Sequence, residues 1–291
     1  EPEVQDESPL GVLLERKRQE LVRRIELLQA RGDQAAFTAA ATAYFGKPTS
    51  SLVRAATAMI HNRTACTLPA DPSENLNAEQ AKERFEEVLQ RYSLHDWKVS
   101  VKPRLVARVT VGGHNVYIRQ DALFPEADIQ ALIKHEIETH VLTSENGDHQ
   151  PHALFRRGCA GYLDTQEGLA TYNQNRVYGS HHDKRYNAPR NLLGLEFGLQ
   201  HSFAETRQYF QEEIGYDAEK ALTQTIAIKR GLTDTSEIGG FTKSIVYFRG
   251  LRAIEKFVKD GGDITRLYVG KIALEDLEIV EQVPDLQSPL L

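Results

Sequence analysis

Apolar residues recur at two spacings along this chain, and the place where the spacing changes constrains the fold most. Between residues 97 and 119 they alternate: Trp97-Lys98-Val99-Ser100-Val101, then Leu105 to Val111, then Asn115 to Arg119. A period of two puts every second side chain on one face of a strand. Gly112-Gly113 between two such runs is a hairpin signal. The region reads as a small antiparallel sheet. On both sides the spacing returns to three and four, the period of an amphipathic helix. The fold class expected is therefore α+β, mainly α.

The expected helices cover 11–31, two short pieces within 34–61 split at Lys47-Pro48, and 78–92. The next opens at Pro125 to Asp128 and is closed by Asn146-Gly147, read as its C-cap. Others follow at about 165–176, 189–213, 217–231 and 241–260. Residues 1–9 and the stretch from Thr67 to Asn77 read as polar, irregular chain. Two regions result: an N-terminal helical region, 1–75, and a core spanning 76–291.

A net charge of −6 argues against general binding to nucleic acid, which needs a basic face. No apolar run reaches membrane-spanning length. Glu1-Pro2-Glu3 does not read as a signal peptide. The two cysteines, Cys66 and Cys159, form no Cys-x-x-Cys pair, so a metal would rest on histidines and carboxylates. A cytoplasmic protein is expected.

The residues that carry chemistry lie in Lys134-His135-Glu136-Ile137-Glu138-Thr139-His140. Two histidines and a glutamate on one helix suit a zinc peptidase, whose common spacing has two residues between the first Glu and the second His. Here there are three. At about 100° per residue, positions i and i+5 lie about 140° apart on an α-helix, too far to share one ion. A local π-turn absorbs the extra residue, and one is expected between His135 and His140. Glu167 in Gln166-Glu167-Gly168-Leu169-Ala170 supplies a third ligand on a return helix, with Gly168 and Ala170 small enough for the two helices to approach closely. One Zn²⁺ per chain on His135, His140 and Glu167 leaves a fourth position open to water, with Glu136 as general base. The bland alternative is a surface helix carrying the string by chance, and the strand-then-helix setting favours the metal.

The segments Ala127-Asp128 through His135 to Thr143 and Thr165 to Ala170 resemble those of the QEGLA-motif family, which includes the microtubule-associated tyrosine carboxypeptidases. Two further blocks match: Gly239-Gly240-Phe241-Thr242-Lys243 with Val246-Tyr247 and Arg249-Gly250, and Gly261-Gly262-Asp263 with Leu267 to Ile272. The resemblance implies a zincin-like metallopeptidase core with the ligands and base named above, and in the animal members removal of the C-terminal tyrosine of α-tubulin. Glu138 departs from the pattern, standing where small residues are common, and the acidic N-terminal segment has no tubulin-binding character.

A carboxypeptidase must also grip a terminal carboxylate, which Lys or Arg does best. Lys243 and Tyr247 are four apart and share a helix face, so Lys243 is the expected anchor and Tyr247 the expected donor to the oxyanion. Arg249 lies about 120° off that face and either contacts substrate or braces an acidic neighbour. Arg176, Arg185 and Arg190 are candidates for a basic rim. His181-His182 reads as a solvated loop. The function expected is zinc-dependent hydrolysis at a peptide C-terminus, of tubulin-tail type. A metal-binding regulatory protein, or an aminopeptidase or endopeptidase on the same site, are the alternatives.

Overall fold

The computed structural model describes residues 6–63, 75–179 and 182–291. Cys66, His181 and most of the expected Thr67–Asn77 loop lie outside them. Three N-terminal helices come first: α1 (Pro9–Gln29), α2 (Gln34–Phe45) and α3 (Ser50–His61). Each begins at a polar cap, Ser8, Asp33 and Thr49, whose side chain accepts a hydrogen bond from a first-turn N–H. Helix α4 (Ala78–Arg91) starts at a full capping box, Asn77 with Gln80.

The sheet follows, with β1 (Lys98–Lys102), β2 (Val109–Gly112) and β3 (Asn115–Arg119) in the order β1-β3-β2. The Gly-Gly hairpin is present: β2 and β3 pair antiparallel around Gly113 and His114, both at positive φ. The sheet is mixed, not antiparallel as the alternation suggested. β1 pairs with the far edge of β3 and runs parallel to it. Alternation reports which face of a strand is buried but is blind to strand direction. β2 is left as an edge.

One long helical run crosses the sheet. It consists of α5 (Glu126–Leu132), a π-helical segment (Ile133–Val141) and α6 (Leu142–His149). It does not stop at Asn146-Gly147. Gly147 lies inside α6, where an added Cβ would sit 2.7 Å from the Phe155 carbonyl oxygen. That glycine serves the close approach of α7 (Ala153–Arg157) and is not a cap. Pro151 follows the true end.

Helix α8 (Tyr162–Tyr178) returns across the run. The expected 189–213 helix is two, α9 (Asn187–Gly198) and α10 (Phe203–Glu212), parted by a capping box of Ser202 with Glu205. Helices α11 (Ala218–Lys229), α12 (Ile245–Lys259) and the short α13 (Leu277–Val280) complete the fold. The architecture is α+β and mainly α.

Two apolar cores result. One joins α4, the sheet, the π segment and the 267–283 stretch around Phe85, Phe124, Ile137 and Phe155. The other joins α1–α3 to α9–α12 around Phe45, Leu192, Phe210 and Phe248. Helix α8 lies between them, and its tightest neighbour is α12. A Cβ on Gly168 would lie 2.5 Å from the Gly250 carbonyl oxygen and 2.7 Å from its Cα. The close approach read from Gly168 is thus to α12 and not to the histidine helix.

Candidate metal centre

The π segment does what the spacing of the histidines requires. A π-turn holds one more residue than an α-turn, so the fifth residue returns to the starting face. The His135 and His140 rings lie 4.9 Å apart, centroid to centroid. A π-turn is costly in isolation, and side chains here hold it open. Thr139 Oγ1 donates to the Lys134 carbonyl at 2.8 Å and accepts from Asn173 Nδ2 of α8 at 3.0 Å. Thr143 Oγ1 donates to the Thr139 carbonyl and accepts from Gln166 Nε2. Asn173 also donates to the Tyr268 hydroxyl. Asn173 and Gln166 thus tie the ligand run to the helix that carries Glu167.

Glu167 Oε2 stands 3.7 Å from His140 Nε2 and 4.0 Å from His135 Nε2. One ligand atom from each residue lies within 4.8 Å of the others. Bonds of about 2.0–2.1 Å to one tetrahedral ion place donors about 3.4 Å apart, so a small contraction closes the set. The electrostatics also fit a cation. Burial lowers the His135 pKa to about 4 and holds that of His140 well below the usual imidazole value, so both rings are neutral at pH 7. Burial pushes Glu167 up to about 7 and Glu136 up to about 8, the latter also through the charge of Glu167. Two carboxylates in one largely enclosed cleft are stabilised by a divalent ion between them.

A chain of hydrogen bonds sets the His135 ring. Its Nδ1–H donates to Gln174 Oε1 at 2.9 Å, which turns Nε2 toward Glu167. Gln174 Nε2 donates to the Tyr178 hydroxyl, and that hydroxyl donates to Asp128 Oδ1 at 3.1 Å. Asp128 is buried and ion-paired with Lys184 and Arg108. Gln174 was not singled out from sequence. Its signal is there: it lies seven residues after Glu167, two turns along the same face.

The cleft over these residues is lined by Glu136, Tyr247, Lys243, Arg230 and Lys271, and along one wall by β2 from Val109 to Gly112. Tyr247 lines the cleft beside Glu167, and the charge of Glu167, with burial, holds its pKa far above the usual phenol range. Arg249 is elsewhere. Its guanidinium makes two hydrogen bonds to Asp164, at 2.6 and 2.8 Å, and does not line the cleft. Of its two readings, bracing an acid is what the geometry gives.

The basic rim also has other members than the sequence suggested. Arg185 donates to the Asn175 carbonyl, and Arg190 pairs with Asp183. The cations beside the cleft are Lys17, Arg24, Arg31, Arg157, Arg230 and Lys243, around an aromatic hollow that includes Phe37, Tyr44 and Tyr162. They come from helices far apart in sequence, which no local pattern reveals.

No helix among the described residues is long and apolar enough to cross a membrane. Compared with known proteins, the chain is 30% identical over 158 residues to microtubule-associated tyrosine carboxypeptidase 1 of Mus musculus. It is 29% identical over 156 residues to the protein of the same name from Homo sapiens. Each alignment covers 52% of this chain and 32% of the relative, so the matched part spans about a third of the relatives' length. The family described as microtubule-associated tyrosine carboxypeptidase matches residues 1–287. By that near-complete match, and by the QEGLA segment that carries Glu167, the chain belongs to the microtubule-associated tyrosine carboxypeptidase family.

Proposed function

We propose that this chain is a zinc-dependent carboxypeptidase of zincin type that removes a C-terminal residue, tyrosine in the first instance, from an acidic tubulin-like tail in the cytoplasm. The observation that carries the reading is the convergence of His135, His140 and Glu167 on one point, with Glu136 beside them in the same cleft. A zinc ion held by those three side chains would polarise a scissile carbonyl and acidify a water molecule. Glu136 takes the proton from the attacking water and delivers it to the leaving amine. Tyr247 offers its hydroxyl to the oxygen that gains charge. Lys243 meets the terminal carboxylate and so restricts cleavage to chain ends. The edge strand β2 along the cleft offers unpaired backbone groups to an extended peptide. The basic rim suits an acidic tail on a chain whose net charge is otherwise −6.

The test is metal analysis of the purified protein beside mass spectrometry of peptides ending in a free tyrosine. Wild type should hold one zinc per chain and release tyrosine alone. Glu136→Gln should keep the zinc and lose at least about 100-fold in kcat. Equal behaviour of the two proteins on every peptide would refute an enzymatic role and leave a metal-binding regulatory protein.

A further inference from the structure

A second cavity, of about 370 Å³, opens off the cleft beside His135. The two hollows share His135, Arg230, Lys243 and Tyr247. That size lies within the range of small-molecule pockets and is room enough for one large amino-acid side chain. No carboxylate lines it. Its far wall is made of carboxamides: Gln174 and Asn175 on α8, Asn187 and Asn191 on α9, and Gln224 on α11.

The hydrogen-bonding capacity of this wall is lopsided. Asn187 Oδ1 accepts from Lys220 at 2.7 Å, and Asn191 Oδ1 accepts from the Tyr216 hydroxyl at 2.9 Å. With the oxygens engaged, the N–H groups are what these two residues have left to give. Asn175 is 5% exposed, and its Nδ2 is buried with no hydrogen-bond partner. Ser244 Oγ on the same wall is buried and unpartnered too. Buried amides without partners are rare and call for a reason. At the mouth, Arg230 and Lys243 close no ion pair with any described carboxylate, though both stand where a terminal carboxylate would enter. A pocket with surplus donors and no acidic group is complementary to acceptors.

We propose that this cavity receives the side chain of the released residue and selects one that ends in an acceptor oxygen (phenol, carboxamide or carboxylate) over a hydrocarbon of similar size. Arg230 joins Lys243 in holding the α-carboxylate at the mouth. The inference rests on the carboxypeptidase reading of the cleft. It is tested with zinc-loaded enzyme and peptides of one body ending in Tyr, Phe, Gln, Glu or Leu, reading kcat/KM from the residue released. Tyr should exceed Phe, and Gln or Glu should exceed Leu, by about 10- to 100-fold or more, because the hydrocarbon leaves buried donors unpaired. The ranking among Tyr, Gln and Glu then shows which oxygen the pocket is built for. Equal rates for Tyr and Phe, together with equal rates for Gln, Glu and Leu, overturn the proposal and leave the carboxypeptidase standing. No release from any peptide overturns the carboxypeptidase and the proposal with it.

A variant supplies the second arm. Asn175→Leu replaces an unpartnered buried amide with a hydrocarbon of similar shape, so its thermal midpoint should match or exceed that of wild type. Its preference for Tyr over Phe should fall by about tenfold. A lowered midpoint with the preference unchanged would make Asn175 a structural residue and overturn its role here.

Discussion

Gly168→Ala should cost the protein stability and zinc together. Taken as a helix residue alone, alanine is better than glycine by about 1 kcal/mol. The structure predicts the opposite sign. The added methyl would sit 2.5–2.7 Å from the Gly250 carbonyl oxygen and Cα. Favourable contact between carbons is at about 3.5–4.0 Å, so α8 and α12 must part by about 1 Å. Overpacking of that kind costs about 1–3 kcal/mol or more, and both sides of this contact are backbone, which has no rotamer to change. Set against the gain in propensity of about 1 kcal/mol, the net loss reaches about 2 kcal/mol, because a contact between two backbones takes the upper end of that range. For a chain of this size that is a fall of a few degrees in thermal midpoint. Glu167 is the next residue, so a shift of α8 also pulls the carboxylate off the two imidazoles. A displacement of about 1 Å in such a site can cost about 100-fold in rate. The assay is thermal unfolding of metal-free and zinc-loaded protein, beside zinc content after dialysis. Gly250→Ala, whose Cβ would come within 2.9 Å of the Asp164 carbonyl carbon and 3.0 Å of Gly168 Cα, should behave alike. A Gly168→Ala protein that melts at or above wild type and keeps full zinc would refute the account of the crossing.

Gln174→Leu removes the acceptor that orients His135 and should weaken zinc binding by about 10- to 100-fold, measured by competition with a chelator, while the fold is kept. Arg249→Ala should lower stability by about 1 kcal/mol, by loss of its pair with Asp164, and leave KM for free-ended peptides unchanged; a raised KM would restore Arg249 to the substrate. Asp128 is raised by burial but lowered more strongly by Lys184, Arg108 and Tyr178, so its net pKa is depressed below the ordinary carboxylate value of 3.8. A depressed carboxylate contributes stability above its unfolded pKa of about 3.9 and loses it as pH falls through the folded value. Asp128→Asn should therefore be destabilised by about 1 kcal/mol at pH 7, since Lys184 and Arg108 are each about a third exposed, with the gap to wild type narrowing below about pH 4 in denaturant titrations.

The parts of the fold legible in the sequence are those that short-range patterns encode. Capping residues, proline breaks and the 3.6 period mark α1 to α4 closely, and the misfit of His135 and His140 to an α-helix points straight to the π segment. Strand direction in the sheet was not legible, because β1 and β3 alternate in the same way whichever way they run. Gly147 misled because glycine marks both helix ends and close approaches, and only the position of Phe155 decides between them. In the candidate site, His135, Glu136, His140 and Glu167 sit in two short segments, so their meeting in one cleft could be read. Arg230, Lys271 and the carboxamide wall could not, since the helices and loop that supply them meet only in three dimensions.

The π segment also fixes how this chain can change. Because the π-turn absorbs the extra residue, removing one residue between His135 and His140 would return that turn to α-helix and leave α6 in phase. Glu145 would keep the indole of Trp97, to which it is bonded at 2.7 Å, and Asn146 its backbone partner Leu290. The wider gap is thus a local insertion that a single-codon deletion could reverse to the commoner peptidase spacing without refitting the surface beyond it.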